Sequence, residues 1–288
     1  MSVPSPTPSS RVQVTGRVAS PEYFRIVERQ KFDPADVVRV MRGEIAGVIF
    51  RGAISAETCE QVKKNFWANP MLRKRGDAVP AYYLGTYHYA KELELYLQEA
   101  ETTRAALAEV FHGAENFYAR IMDGVAASLR AEGVAMRVAE HQGRRAGEFV
   151  MRSWSGSGTF ALAAHDDGAQ LTARKQAGFE IQRVRANPLT AVNLCLENGE
   201  GGELVYWNVE PDDATRRALG VEETGHPYAA ELLNDFPKIE LPIHTGDAYF
   251  FNGKLVHGVR AQTRPGEFRS TISLLMGFLD PQTVIYWT

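Results

Sequence analysis

The feature that most constrains the fold is a change in sequence pattern at about residue 147. From there onward the chain consists of short β-rich runs separated by Gly, Pro, Asn and Asp, with few helical stretches between them. Such a succession of short strands is typical of an antiparallel sandwich or barrel of the jelly-roll type, and it argues against a parallel α/β sheet. The predicted strands are 148–154, 159–165, 179–184, 189–196, 203–208, 238–243, 248–251, 256–261, 269–279 and 284–287.

Residues 21–146 have a mainly helical pattern. The run IAGVIF at 45–50 predicts a strand, and Ser55 is a candidate N-cap for a helix that reaches about residue 67. Two more helices are predicted, over 91–111 and 114–133, and the long interruption at 211–237 is expected to be partly helical and to cap the barrel.

We therefore expect an α+β fold in a single domain over 21–288. A double-stranded β-helix, which is a jelly-roll or cupin-like barrel, is predicted over 147–288, and the helical half at 21–146 packs on it. Residues 1–20 are rich in Ser and Pro and are predicted to form a flexible tail.

Composition excludes several classes of protein. With 32 basic and 35 acidic residues and no basic tract, the sequence predicts no binding to nucleic acid or to a membrane surface. No apolar run is long enough for a membrane span, and no signal peptide is evident, so a cytoplasmic protein is expected. The two cysteines, Cys59 and Cys195, match no metal-ligand spacing and fit a reducing compartment. The expected partner is a small molecule, and the sequence carries no signal for the oligomeric state.

His165, Asp166 and Asp167 form the first candidate site. On a strand, residues two apart point to the same side, so His165 and Asp167 share a face and Asp166 points away. About one His-x-Asp or His-x-Glu pattern is expected by chance in a chain of this composition. His257, 90 residues further on in another β-rich run, supplies a third candidate ligand. Two imidazoles and one carboxylate on one face favour non-haem Fe(II) used for oxygen chemistry, since the remaining positions stay open.

The turn sequence TRPGE predicts that strands 256–261 and 269–279 form a hairpin. Centring that hairpin on Pro265 places His257 opposite Ser273, and directly opposed residues share a face. By alternation, Arg269, Thr271 and Ser273 are then expected to face the metal side.

Arg269 lies four residues along its strand from the position opposite His257, roughly 13 Å at the usual strand rise. That gap suits a short dicarboxylate with one end on the metal and the other in the guanidinium fork. The alternative is a surface arginine near a hairpin.

At these residues the chain resembles the Fe(II)/2-oxoglutarate-dependent dioxygenase superfamily. The matching segments, in the order found in that superfamily, are GVIFRGAISAETCEQV at 47–62, HDD at 165–167, GGELVYW at 201–207, GDAYFFNGKLVHGV at 246–259 and RSTIS at 269–273. The resemblance implies that His165, Asp167 and His257 bind iron. It also implies 2-oxoglutarate and O₂ as cosubstrates, with succinate and CO₂ released, and an N-terminal region that closes the substrate pocket.

The same resemblance implies that Arg269, helped by Thr271 or Ser273, holds the distal carboxylate of 2-oxoglutarate. Asn193 is a candidate contact to the cosubstrate or to the metal site, and the alternative is a core-facing Asn bonded to the backbone.

The spacing and the endings GGELVYWNVEP and VIYWT are also similar to those of the carrier-independent halogenases that act on indole alkaloids. Those enzymes carry Gly at the place of Asp167, which leaves a coordination position for halide. Since a carboxylate fills that place here, hydroxylation, or another oxidation such as desaturation or ring formation, is expected rather than halogenation.

Four residues are candidate substrate contacts. Arg152, just before the His-x-Asp strand, either faces the barrel interior and binds a carboxylate or lies on the surface. Tyr83 and His88 belong to an aromatic-rich segment that either lines the pocket or packs helix against sheet. Trp154 either lines a pocket or belongs to the core. Of the other four histidines, His112, His141 and His226 match no ligand pattern and are expected on the surface, and His244, just before a turn, is given no metal role.

The leading hypothesis is an enzyme that oxidises an unactivated C–H bond of a small molecule, such as an amino acid derivative or specialised metabolite. Two alternatives stay open: a cupin-type metal enzyme that does not use 2-oxoglutarate, and a catalytically silent barrel used as a binding module. Arg269 discriminates against the first, because such an enzyme needs no buried cation there.

Overall fold

The chain folds around two facing β-sheets with helices packed on the outside of the larger one. The computed structural model describes residues 12–75, 81–155 and 158–288. The helices, in chain order, are α1 (Pro34–Met41), α2 (Ala56–Ala68), α3 (Leu93–Glu109), α4 (Phe117–Ala131) and α5 (Asp213–Leu219). The strands are β1 (Gly16–Arg17), β2 (Ile26–Arg29), β3 (Gly47–Phe50), β4 (Arg73–Lys74), β5 (Ala81–Leu84), β6 (Ala135–Val138), β7 (Glu140–His141), β8 (Arg144–Arg145), β9 (Val150–Trp154), β10 (Phe160–His165), β11 (Leu189–Glu197), β12 (Leu204–Trp207), β13 (Glu210–Pro211), β14 (Lys238–Leu241), β15 (Ala248–Asn252), β16 (His257–Arg260), β17 (Arg269–Asp280) and β18 (Thr283–Trp287).

The smaller sheet has four antiparallel strands in the order β10-β16-β12-β14. The larger sheet has the order β2-β3-β15-β11-β17-β9-β5-β4, and β18 and β6 extend it beside β17. Its pairs are antiparallel except β2 with β3 and β18 with β6. This pair of sheets is the jelly roll that the strand pattern predicted.

Alternation along the strands of the larger sheet divides its side chains between two environments. On β17, Ile272, Leu274 and Met276 belong to the core beneath the helices, together with Met41 of α1 and Ile121 of α4. The intervening positions face the space between the two sheets. The helices therefore cover one face of the large sheet, and the other face is left to line a cavity.

The α2 helix begins where the sequence predicted. The hydroxyl of Ser55 accepts a hydrogen bond from the backbone N–H of Thr58 at 3.1 Å. This bond satisfies one of the free N–H groups of the first turn. In α1, which the sequence pattern did not predict, Asp33 caps the helix and Pro34 occupies its first position.

The prediction of an α+β jelly roll with helices packed on it is confirmed, and nine of the ten predicted strands are present with small shifts at their ends. The strand predicted over 179–184 is wrong, because a 3₁₀ helix (Glu180–Ala186) occupies this segment. Ile181 and Val184 lie in the core with Trp287, and their spacing of three residues places both on one side of the 3₁₀ helix.

The predicted hairpin between 256–261 and 269–279 is wrong. His257 on β16 pairs with β10 and β12 of the small sheet, whereas β17 pairs with β11, β9 and β18 of the large one. The segment containing TRPGE therefore crosses from one sheet to the other, as connections in a jelly roll do. Ser273 lies opposite Asn193 and Val150.

The predicted N-terminal tail and the predicted helical half also differ from expectation. Residues 12–20 were placed in a flexible tail, yet Val14 is buried and β1 pairs with β13. Residues 21–146 contribute β2 to β6 to the large sheet besides the four helices. Residues 1–11 lie outside the described residues, and the single-domain organisation stays a prediction.

No helix in the described ranges combines the length and the hydrophobicity that crossing a membrane requires.

Candidate metal centre and substrate cavity

A cavity of about 460 Å³ lies between the two sheets. Strands β10 and β16 of the small sheet form one wall, and β9, β11, β15 and β17 of the large sheet form the other. The segment after β5 and residue His226 complete its lining. All eleven residues that the sequence singled out as iron, cosubstrate or substrate contacts lie here, except Thr271.

The structure brings together His165, Asp167 and His257. His165 ends β10 and is directly paired with His257 on β16, with ring centroids 4.1 Å apart. Asp167 Oδ1 lies 3.9 Å from His165 Nε2, and its Oδ2 lies 3.5 Å from His257 Nε2. One ligand atom from each residue falls within 4.8 Å of the others, and all three side chains are buried. This arrangement can hold one metal ion with three protein ligands on one side.

The backbone orients both imidazoles in the same way. The Nδ1 atoms of His165 and His257 each lie 2.9 Å from a carbonyl oxygen two residues earlier, that of Ala163 and that of Leu255. Because a carbonyl can only accept, Nδ1 carries the proton in both rings and Nε2 keeps its lone pair. Both Nε2 atoms are thereby ready to bind a metal, and the hydrogen bonds fix the rings in that orientation.

The position of Asp167 is fixed by Gly253, just after β15, and by Gln170, in the turn that follows Asp167. Its backbone N–H donates to the carbonyl of Gly253 at 2.8 Å, and a Cβ at Gly253 would come within 2.7 Å of Asp167 Oδ2. Gln170 Nε2 donates to Oδ1 at 3.3 Å. Glycine at 253 therefore leaves the space that the carboxylate occupies.

Burial dominates the electrostatics of the three residues. It lowers the pKa of His165 to about 3, with His257 as the next cause, and it lowers the pKa of His257 to about 4. It raises the pKa of Asp167 to about 6. A dry carboxylate between two neutral imidazoles favours a cation at the centre of the cluster, since a buried charge is costly without an opposite one.

The neighbouring acid, Asp166, points away from the cluster as predicted. Its carboxylate accepts from Arg216 Nη2 at 2.9 Å and from the Tyr228 hydroxyl at 2.7 Å. Adjacent carboxylates on one strand end thus have separate environments, one at the metal position and one in an ion pair.

Arg269 lies on the large-sheet wall of the cavity and is 1% exposed. It donates to the Tyr249 hydroxyl through Nη2, while Nε has no hydrogen-bond partner. Its neighbour across the sheet, Trp154, lies with its ring centroid 5.5 Å from the Arg269 guanidinium carbon. A buried guanidinium with unused donors is suited to bind a carboxylate.

Ser273 and Asn193 lie side by side on β17 and β11 and line the cavity. The Ser273 hydroxyl donates to Asn193 Oδ1 at 2.8 Å, so this Asn is bonded to a side chain rather than to the backbone. Thr271 is fully buried one pleat away, and its hydroxyl lies 3.1 Å from that of Ser273. Thr271 is outside the cavity lining and touches the cavity only through Ser273.

Arg152 is a second guanidinium in the cavity, not a surface residue. Its Nε is buried and has no hydrogen-bond partner, and its guanidinium carbon lies 5.2 Å from the ring of Trp154. Burial lowers the pKa of Arg152 to about 10, while the nearby charge of Asp167 opposes that shift. Trp154 therefore lies beside both arginines, and the charge of Arg152 interacts with the carboxylate of Asp167.

Tyr83 and His88 also line the cavity. The Tyr83 ring packs edge-on against Tyr87 at 5.6 Å. His88 is buried, and its Nδ1 lies 2.8 Å from Gln176 Oε1, while Gln176 Nε2 donates to the His88 carbonyl at 2.6 Å. The amide orientation makes His88 Nδ1 the donor, and burial lowers its pKa to about 4, so the ring is neutral.

His226 was expected on the surface, but it lines the cavity beside the metal ligands. Its ring centroid lies 6.2 Å from that of His165. It comes from the segment between α5 and β14, which has no strand or helix pattern at this point. The only sequence signal was the prediction that this interruption caps the barrel.

Comparison with known proteins agrees with this geometry. Residues 26–288 match the model of the family described as carrier-protein-independent halogenase WelO5. An L-isoleucine 3(1)-dioxygenase of Pantoea ananatis (strain AJ13355) is 29% identical over 251 residues, which are 83% of this chain and 82% of that protein.

Among solved structures, an N-substituted L-amino acid dioxygenase from Burkholderia ambifaria AMMD superposes with a TM-score of 0.57 at 16% identity. The superposition covers 88% of this chain and 91% of that one, and at this identity it supports the fold alone. The match over 26–288 extends over nearly the whole chain and includes every residue of the cavity. The chain belongs to the carrier-protein-independent halogenase WelO5 family, within the superfamily of iron- and 2-oxoglutarate-dependent oxygenases.

Proposed function

We propose that this protein hydroxylates a C–H bond of a small α-amino acid with an apolar side chain, using Fe(II), 2-oxoglutarate and O₂. The observation that carries the proposal is a buried His-Asp-His cluster that shares one cavity with two arginines, the buried Arg269 and the partly exposed Arg152. In both arginines the Nε atom is buried and has no hydrogen-bond partner. Within the described ranges, neither Arg152 nor Arg269 forms an ion pair with a carboxylate. Each is therefore available to an anionic ligand.

The residues fit Fe(II). His165 and His257 present neutral Nε2 lone pairs, and Asp167 adds a carboxylate oxygen from the same side. Two imidazoles and a carboxylate with open remaining positions are the donor set of non-haem Fe(II) oxygenases. When bound, Fe(II) and 2-oxoglutarate supply the oxidising chemistry, in which one oxygen atom of O₂ enters the substrate and the other enters succinate as CO₂ is released.

The large-sheet wall fits 2-oxoglutarate. Arg269 offers free guanidinium donors to the distal carboxylate, and the Ser273 hydroxyl lies four strand positions away on the same face, beside the Asn193 amide. A planar guanidinium holds a carboxylate by two parallel hydrogen bonds. In this arrangement Thr271 acts only by orienting Ser273.

The charges of the cavity favour a substrate with a carboxylate. The two negative charges of 2-oxoglutarate balance Fe(II), and Asp167 balances Arg269. Arg152, which is partly exposed but has a buried Nε, then remains without an opposite charge, which is unfavourable unless the substrate supplies one. Arg152 is accordingly assigned to the substrate carboxylate, and Trp154 holds its guanidinium by a cation–π contact.

The rest of the cavity favours an apolar side chain on that substrate. Phe160, Leu162 and Val259 line the small-sheet wall, and the aromatic segment with Tyr83 and His88 lies at the other side. Their role is to exclude water and to hold a C–H bond against the metal position. The relative from Pantoea ananatis, which by its name acts on L-isoleucine, is consistent with this substrate class.

Halogenation, after which the family is described, is not the activity proposed. The carboxylate of Asp167 lies within 4.8 Å of the ligand atoms of both histidines and takes the place that a halide needs. Hydroxylation requires no further ligand from the protein.

The test is a screen of the purified protein with Fe(II), 2-oxoglutarate and air against the twenty proteinogenic L-amino acids. Succinate release and product mass are measured. One set of reactions contains added chloride, so that a chlorinated product can form if the enzyme halogenates. The expected result is faster succinate release with an apolar amino acid such as L-isoleucine and a product heavier by one oxygen atom. Release that no amino acid stimulates, or a chlorinated product, would refute the proposal.

A further inference from the structure

Residues 213–233, which comprise α5 and the chain after it, are fastened to the end of β10, beside the candidate metal ligands His165 and Asp167. Asp166, which lies between those ligands in sequence, is fully buried. Its carboxylate accepts from Arg216 Nη2 at 2.9 Å, from Arg216 Nε at 3.3 Å, from the Tyr228 hydroxyl at 2.7 Å and from the backbone N–H of Ala169 at 2.9 Å. Two of its three partner residues belong to the 213–233 segment, so the acid next to Asp167 anchors that segment at the cavity.

Two backbone hydrogen bonds bracket His226. The N–H of Asp166 donates to the carbonyl of Gly225 at 3.0 Å, and the N–H of Tyr228 donates to the carbonyl of Ala164 at 2.8 Å. Gly225 has a φ of +62°, and a Cβ there would overlap the Asp166 carbonyl oxygen. The chain is therefore held on both sides of His226, close against the end of β10.

His226 differs from the other histidines of the cavity in its hydrogen bonds. His165 and His257 each donate Nδ1 to a carbonyl, and His88 donates to Gln176. In the part of the chain that the structure describes, the half-buried ring of His226 makes no hydrogen bond. A neutral imidazole offers one donor and one acceptor, so this ring can bind a polar group near the metal position.

We propose that His226 contacts the substrate and binds its α-ammonium group, and that Asp166, Arg216 and Tyr228 hold it in place. This inference rests on the proposed function. If Arg152 takes the carboxylate of an apolar amino acid, the α-ammonium is the hydrogen-bonding group that remains. The two charged groups of the zwitterion then have separate partners, and together they fix which C–H bond faces the metal.

The experiment uses the Fe(II)-loaded protein and the amino acid from the screen that gives the fastest succinate release. Each enzyme is assayed with that amino acid and with the matching carboxylic acid that lacks the amino group. The matched control is His112→Ala, which removes an exposed histidine outside the cavity. The measurements are KM for each compound, KM for 2-oxoglutarate, and the ratio of hydroxylated product to succinate.

His226→Ala is expected to raise KM for the amino acid about fivefold and to lower the product-to-succinate ratio, as loss of one hydrogen bond would. KM for 2-oxoglutarate and KM for the compound without the amino group should stay within twofold of wild type. His226→Gln, which keeps a hydrogen-bonding amide, should restore part of the loss. An equal loss with both compounds, or no loss with either, would overturn the contact.

Tyr228→Phe tests the anchor separately. Loss of its hydroxyl should lower the product-to-succinate ratio and speed amide hydrogen exchange over 221–233, with KM for 2-oxoglutarate unchanged. Unchanged exchange and an unchanged ratio would overturn the positioning role. If the wild type turns over no amino acid, the proposed function fails and this inference fails with it. If the wild type is active and the His226 variant has the same kinetics, only this inference fails.

Discussion

The two ends of the cavity are built in different ways. At the metal end, His165 and His257 stand on paired strands, and hydrogen bonds to the backbone two residues earlier fix their rings. At the substrate end, His88 and His226 stand on segments between regular elements and are held by side chains such as Gln176 and by loop hydrogen bonds. The residues assigned to the metal are therefore positioned by the fold itself, whereas the residues assigned to the substrate lie on connections that can vary without disturbing the fold.

The same contrast exists between two adjacent carboxylates. Asp167 faces the metal end and is left for a cation, while Asp166 is occupied by Arg216 and Tyr228 from the opposite segment. If the contrast is correct, substitutions at the metal end abolish the reaction, and those at the substrate end change selectivity, coupling or stability by smaller factors.

The largest effect is expected at Asp167. Asp167→Ala removes the only carboxylate of the cluster and should lower iron affinity and the rate of succinate formation by a factor on the order of 100 or more. Asp235→Ala, which removes an exposed carboxylate outside the cavity, serves as the control. Hydroxylation at the wild-type rate by Asp167→Ala would show that the metal lies elsewhere.

Arg269 comes next. Replacement by Leu removes a charged hydrogen-bond donor pair, for which a loss of about 2 to 3 kcal/mol, or roughly 30- to 150-fold in KM for 2-oxoglutarate, is expected. Arg269→Lys should recover little of this, because an ammonium cannot form the two parallel bonds. A wild-type KM for 2-oxoglutarate in both variants would show that another cation, not Arg269, binds the distal carboxylate of 2-oxoglutarate.

Arg152 should affect the other ligand. Arg152→Leu is expected to raise KM for the amino acid by roughly 10- to 30-fold, the cost of one charged contact, while KM for 2-oxoglutarate changes little. Steady-state kinetics with each compound varied in turn separates the two. If KM for 2-oxoglutarate rises instead, Arg152 binds the cosubstrate, and it does not separate the substrate end of the cavity from the metal end.

The smallest effect concerns stability. The pKa of His88 is about 4 in the folded protein and near 6.5 when exposed. Below pH 6.5 His88 binds a proton in the unfolded chain but stays neutral in the folded chain. The free energy of unfolding therefore decreases as the pH is lowered from 6.5 to 4. By pH 5.5 this costs about 1.4 kcal/mol.

His88→Asn, which keeps a donor for Gln176, should remove this part of the pH dependence. Urea unfolding at pH 7.5 and at pH 5.5 measures it. An identical loss of stability in both proteins would mean that His88 is not neutral in the folded state.

How far the sequence predicted this structure also differs between the two ends. His165 and Asp167 follow from alternation on one strand, and that pattern is local. The pairing of His257 is not local: the TRPGE turn favoured a hairpin with β17, but the chain passes to the other sheet, and His257 pairs with His165 instead. The hairpin that placed Arg269 on the metal side was wrong, yet Arg269 does line the cavity. The resemblance to the dioxygenase superfamily had pointed to the same residue without that hairpin.

The substrate end was harder to predict for a physical reason. His226 acquires its position from Asp166, Arg216 and Tyr228, which are brought together over as many as 62 residues of sequence. Hydrophobic periodicity in the sequence does not indicate such long-range contacts. The 3₁₀ helix at Glu180–Ala186 was predicted as a strand for a similar reason. Its apolar residues indicate that the segment is buried, but they do not determine the backbone conformation.

The central claim is that one buried cluster and one buried arginine hold Fe(II) and 2-oxoglutarate together. Anaerobic titration of the protein with Fe(II) and 2-oxoglutarate, followed by visible absorption, tests it most directly. The predicted result is a weak metal-to-ligand charge-transfer band that saturates at one equivalent of each. The band should be lost in Asp167→Ala and should require much higher 2-oxoglutarate in Arg269→Leu. No band in the wild type, or the same band at the same concentrations in both variants, would contradict the claim.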